Sequence, residues 1–270
     1  MVAIAIARQT VREALRRRVF WIFLIVAVFL IGLGPVLGFL TPKESQTIMR
    51  SLGLAVILLA GLFITIVTCI YLIPVEIERR TIYTVLSKPV QRFEFVLGKF
   101  LGGFAIVFLS VAAMGVVFLA LIYFQTTTVG PDQGVVRWLV SGKFPREMVL
   151  GVVLTFFQMM LLAALTIFFS TFAPPVLNFF MSFSVFIVGN LSSVTESLTT
   201  SHNPITRFVG NIIHYMLPNF GNFNIQNAII HPTSQITNEG VFIRNNIVYA
   251  IIYSAVLLIL AVIIFDRREV

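Results

Sequence analysis

The chain has 270 residues, 58% of them hydrophobic and only 11% charged, with a mean hydropathy of +0.98. A soluble domain carries about 25% charged residues, so a water-soluble globule is excluded and an integral membrane protein is expected. The net charge of +8 does not point to nucleic acid: the basic residues border hydrophobic runs, where anionic headgroups lie, and no basic-aromatic groove pattern accompanies them.

In chain order, residues 1–18 read as a basic amphipathic helix lying in the membrane interface. Ile4, Ala7, Val11, Ala14 and Leu15 form its apolar stripe, and Arg8, Arg12 and Arg16 repeat every four residues on another face. Val19 then opens an apolar run of about 20 residues, too long for the core of a cleavable signal. Six spans are predicted, over 19–40, 52–73, 100–124, 148–169, 176–191 and 247–265. The first holds Gly34 and Gly38 at close-packing spacing and Pro35, which is expected to kink its outer end. Cys69, the single cysteine, lies inside the second and makes no internal disulfide. Between the second and third spans, residues 76–99 form a charged island. Pro174 or Pro175 suits the first turn of the fifth span. The segment 192–246 is the longest polar stretch, with an amphipathic pattern at Ile205, Phe208, Val209, Ile212, Ile213, Met216 and Leu217. The fold class expected is therefore all-α and integral to the membrane, a single polytopic domain with no internal repeat.

Charge sets the topology. With the N-terminus inside, 12 of the 19 lysines and arginines fall on the inner side and 7 on the outer, and the inner segments are the shorter ones, as the positive-inside rule requires. Both termini are expected in the cytoplasm, with 192–246 external.

The charged island reads V-E-I-E-R-R-T-I-Y-T-V-L-S-K-P-V-Q-R-F-E-F-V-L-G-K-F-L-G-G from Val75 to Gly103. Ile82, Val85 and Leu86 share one helix face, Glu76 and Glu78 sit at the end where the helix dipole favours negative charge, and Pro89 stops the helix. A short amphipathic helix is thus expected at the membrane surface between two spans. The charge pair, the R-T step, the apolar face, S-K-P-V-x-R and G-K-F-x-G resemble the first cytoplasmic loop of type-2 ABC-transporter permeases. The likeness is nearest to the six-span permeases of nitrous-oxide-reductase maturation and gliding-associated systems. It implies that Glu78, Arg79, Arg80, Thr81, Ile82, Val85, Leu86, Ser87 and Lys88 form a coupling helix that docks on a separate ATPase subunit. It also implies a second copy of the chain, or a homologous permease, as the other half of the membrane unit. The plainer reading is an ordinary charged loop that fixes topology.

The chemistry absent from the sequence is as informative. As predicted, the six spans contain no Asp, Glu, Lys, Arg or His, which disfavours an ion-coupled carrier. Gly98-Lys99 lacks the preceding glycine of a phosphate-binding loop and is followed by Phe100. No cofactor is expected in this chain, ATP and magnesium belonging to the partner ATPase. No H-E-x-x-H or G-x-S-x-G occurs, so no catalytic residue is nominated and the chain is not expected to be an enzyme. His202, His214 and His231 are spaced 12 and 17 apart, which matches no metal-ligand motif.

The expected function is the permease subunit of an exporter in the cytoplasmic (inner) membrane, in contact with membrane lipid. Its candidate pathway residues are the weakly polar Thr65, Thr68, Asn178, Ser182 and Asn190, and these favour a lipidic or amphipathic cargo over a bare ion. The alternatives are a force-transmitting or scaffold subunit without cargo, and a membrane-embedded lipid-modifying enzyme.

Overall fold

The computed structural model describes residues 2–40, 45–74, 92–128, 146–191, 217–224 and 239–267, with isolated positions between 199 and 211. Among the described residues every regular element is helical. In order they are α1 (Val2–Arg16), α2 (Arg18–Gly32), α3 (Gly34–Leu40), α4 (Ser45–Cys69), α5 (Arg92–Thr128), α6 (Arg146–Ser170), α7 (Pro175–Asn190), a 3-10 turn (Phe220–Phe223) and α8 (Glu239–Arg267). Among the described residues, five stretches are long and apolar enough to cross a membrane: Arg18–Leu37, Ile48–Cys69, Phe93–Phe124, Met148–Ser170 and Gly240–Asp266. The sixth apolar helix, α7, has 16 residues, about 24 Å at 1.5 Å per residue against a hydrocarbon core of roughly 30 Å.

α6 is the central helix. Leu154, Met159, Leu161, Leu162, Ala163, Ala164 and Ile167 lie all round it and are all sealed from solvent, as expected for a helix apolar on every side. It packs against α4, α5, α7 and α8. A run of stacked rings joins the outer helices: Phe23 on α2 to Phe63 on α4 at 5.6 Å, Phe63 to Phe183 on α7 at 6.3 Å, and Phe183 to Phe179 at 6.0 Å. Most of the phenylalanines in this run are packing residues.

Two helices begin earlier than hydropathy places them. α5 starts at Arg92 rather than near residue 100, and α8 at Glu239 rather than near 247. Charge marks where the chain leaves hydrocarbon, not where the helix stops, and both helices carry their charged residues on continuing turns. Lys99 is therefore inside α5 and buried, its ammonium 5.7 Å from the centre of the Phe95 ring. The first span breaks at Leu33, two residues before Pro35, whose missing N–H leaves a backbone carbonyl without a helical donor. Pro175 is the first residue of α7, with Pro174 extended as its N-cap.

α1 lies along α5. The contact is made where α5 has glycine: a Cβ on Gly98 would sit 2.9 Å from the Ala3 carbonyl oxygen, and one on Gly102 2.5 Å from Thr10 Cβ. The G-K-F-L-G step is thus a small-xxx-small groove for α1. Thr10 and Ala14 are buried there, while Arg8, Arg12 and Arg16 are exposed. The stripe drawn from sequence needs one correction: Ile4 is 70% exposed, because the buried face is centred on Ala3, Ile6, Ala7, Thr10 and Ala14, and Ile4 falls on its rim.

Candidate functional site

A described part of the polar stretch after α7 packs on the bundle. Its residues 217–224 come back against α6 and α7, and Phe220 and Phe223 are buried. Gly189 makes room for this return. A Cβ there would lie 2.4 Å from the Pro218 carbonyl oxygen and 2.7 Å from the Phe220 ring. Non-helical backbone at membrane depth is tolerated only where protein groups satisfy it, and three side chains do so. Gln158, the middle residue of α6, donates from Nε2 to the Phe220 carbonyl at 3.2 Å. Asn246 on α8 donates from Nδ2 to the Asn222 carbonyl at 3.0 Å. The Asn219 N–H donates to the Tyr249 hydroxyl at 2.9 Å. Gln158 Nε2 also reaches Asn190 Oδ1 at 3.1 Å, and Asn190 Nδ2 returns to the Phe186 carbonyl at 2.9 Å. Gln158, Asn190, Asn246 and Tyr249 thus form a polar collar that fixes a re-entrant turn between α6, α7 and α8.

The sequence-nominated polar residues separate into different places. Asn190 belongs to the collar. Asn178 and Ser182 are fully buried one turn apart on α7: Asn178 Nδ2 donates to the Thr166 carbonyl at 3.1 Å, and the Ser182 hydroxyl donates to Asn178 Oδ1 at 3.0 Å. They form a second polar tie between α6 and α7, nearer the α6–α7 turn. Thr65 is buried with no hydrogen-bond partner for its hydroxyl among the described residues, and Thr68 is 8% exposed. The structure does not bring these five together at one surface.

Gln158, Gly189, Phe220, Asn246 and Tyr249 are the residues that sequence reasoning passed over. Gln158 stands in T-F-F-Q-M-M-L-L, and a glutamine in the middle of an apolar span is the one available signal. Asn246 and Tyr249 carry none without the fold. The coupling residues, Glu78 through Lys88, lie outside the described residues, as do His202, His214 and His231. Among the described residues no cluster of metal-ligating side chains occurs.

The two roots of the coupling segment are described. At the α1–α2 corner the Arg17 guanidinium lies 5.3 Å over the Tyr71 ring, just past the end of α4, and bonds Glu13 at 2.9 Å. Trp21 donates from its indole N–H to the Leu15 carbonyl at 2.8 Å. With α1 seated on Gly98 and Gly102 and Arg17 over Tyr71, the N-terminal helix meets the entry of α5 and the corner after it meets the exit of α4. A family model for the ABC-2 family transporter protein matches residues 4–270, nearly the whole of this arrangement.

The chain belongs to the ABC-2 transporter family. No curated protein matches it. Membership makes it a multi-pass permease subunit of an ABC transporter, a membrane transport component rather than the catalytic one. It also implies association with an ABC ATPase and, typically, dimer formation.

Proposed function

We propose that this ABC-2 permease is one half of a dimeric exporter in the cytoplasmic membrane, with both termini cytoplasmic, and that it moves a lipidic or amphipathic substrate. The observation that carries the reading is the character of the outward faces of α2 and α7. Ile22, Ile25, Val26 and Phe29 on α2, and Val176, Phe180 and Ile187 on α7 with Leu191 just past its end, are exposed and apolar, with Ser184 the one hydroxyl among the α7 positions of that stripe. A bare ion moving along such faces finds nothing to replace its hydration shell, at an idealised cost of tens of kcal/mol. The acyl part of an amphiphile meets no such cost.

The ATPase binds ATP and magnesium in this reading and pushes on residues 78–88. Ile82, Val85 and Leu86 bury against it, with Glu78 and Arg80 at the rim. Burial of one such side chain contributes about 1.5–3 kcal/mol, so Ile82→Asp with Leu86→Asp is expected to strip the ATPase from the purified complex while the permease remains inserted. Retention of the ATPase with coupled activity would sink the docking assignment. The Arg17–Tyr71 contact favours a second reading, a force-transmitting subunit without cargo, because it ties the end of α4, which leads toward residues 78–88, to the α1–α2 corner. Reconstitution with the partner ATPase in liposomes of varied content separates the two. Stimulation of ATP turnover by an amphiphile that changes leaflet supports export, and coupled turnover with no movement supports force transmission. Turnover that rises only with an ion that is itself transported overturns the cargo assignment.

A further inference from the structure

The outward side of α8 carries a groove of about 640 Å³ lined by Arg244, Asn245, Val248, Tyr249, Ile252, Tyr253 and Val256. These residues form two adjacent stripes at four-residue spacing. Arg244, Val248, Ile252 and Val256 make one, Asn245, Tyr249 and Tyr253 the other. Val248, Ile252 and Val256 are 46%, 59% and 48% exposed, so the groove floor is open hydrocarbon surface. Arg244 stands at its head, exposed, within the stretch Gly240–Asp266 that is apolar enough to cross a membrane. Among the described residues no carboxylate pairs with it. A lipid-facing guanidinium is costly unless its long side chain carries the charge to the headgroup layer and meets an anion there. The groove also has the right length. From 244 to 256 a helix rises about 18 Å, close to the ~15 Å depth of one leaflet's hydrocarbon.

We propose that α8 binds one anionic phospholipid of the surrounding bilayer, its phosphate at Arg244 and Asn245 and an acyl chain along Val248, Ile252 and Val256. The site is distinct from the cargo path and does not depend on it. Tyr249 joins the site to the collar, since its ring lines the groove while its hydroxyl holds Asn219.

The test uses the full chain in neutral detergent, titrated separately with phosphatidylglycerol and phosphatidylcholine, with retention read by native mass spectrometry. Arg244→Gln is expected to weaken retention of the first phosphatidylglycerol about fivefold, the value of one basic residue near an anionic surface, and to leave phosphatidylcholine unchanged. Arg244→Lys should restore it. Ile252→Asp, which spoils the chain path and keeps the arginine, should weaken it as well. Millimolar inorganic phosphate should not displace the lipid. Retention by Arg244→Gln equal to that of the unaltered protein overturns the site, as does a loss in Arg244→Lys as large as in Arg244→Gln. Displacement by phosphate marks a simple anion site and overturns the assignment to lipid.

Discussion

At the scale of single residues, the fold rests on contacts that tolerate no added atom. Gly189 is the clearest, because the obstacle is the Pro218 carbonyl, part of the backbone, and cannot rotate away. Gly189→Val is therefore expected to destabilise the chain by about 1–3 kcal/mol through overpacking. Gln158→Leu should cost less, about 1 kcal/mol, in line with interhelical hydrogen bonds in membranes, because only its Nε2 is bonded and its Oε1 has no partner. Cys69 supplies the measurement. It is the single thiol and fully buried, so its rate of maleimide labelling on heating reports unfolding directly. An unchanged labelling midpoint in Gly189→Val would mean that residues 217–224 contribute nothing to holding the bundle. None of these roles was legible in advance. A glycine in V-G-N or a glutamine among phenylalanines declares a constraint but not its partner, which lies 29 residues away for Gly189 and 62 for Gln158.

At the scale of elements, long apolar helices could be read from the sequence because one physical requirement, enough residues to cross hydrocarbon, fixes both their length and their composition. Ends were less legible. Lys99 and the Arg244–Asn246 run argued for loops, yet both continue a helix, Lys99 by packing against Phe95 and Asn246 by bonding the re-entrant turn. The close-packing glycines were sought at Gly34 and Gly38; Gly34 does pack on Met49 of α4, but a tighter groove, the one that receives α1, lies at Gly98 and Gly102. This assignment predicts that Gly102→Leu lifts α1 from α5 without unfolding the spans. Limited trypsin digestion should then cut faster at Arg8, Arg12 or Arg16 while Cys69 stays protected. Equal cleavage rates in the two proteins would show that α1 is not held by this groove.

At the scale of the molecule, the proposed orientation predicts which face each loop presents. With Cys69 replaced by serine, a cysteine at Ser87 should label only when the cytoplasmic face is open, and one at Ser201 from outside; labelling of both from one side refutes the proposed orientation. The seat of α1 has a bearing on how such a molecule comes into being. Thr10 leaves the ribosome 92 residues before Gly102, the residue it will rest upon. At about 5–20 residues per second this is an interval of roughly 5–20 s. During that time α1 lacks the α5 surface it will cover, and its exposed arginines can engage headgroups. α1 therefore waits for its seat, and the corner it forms with α5 is completed only after the third long helix has been made.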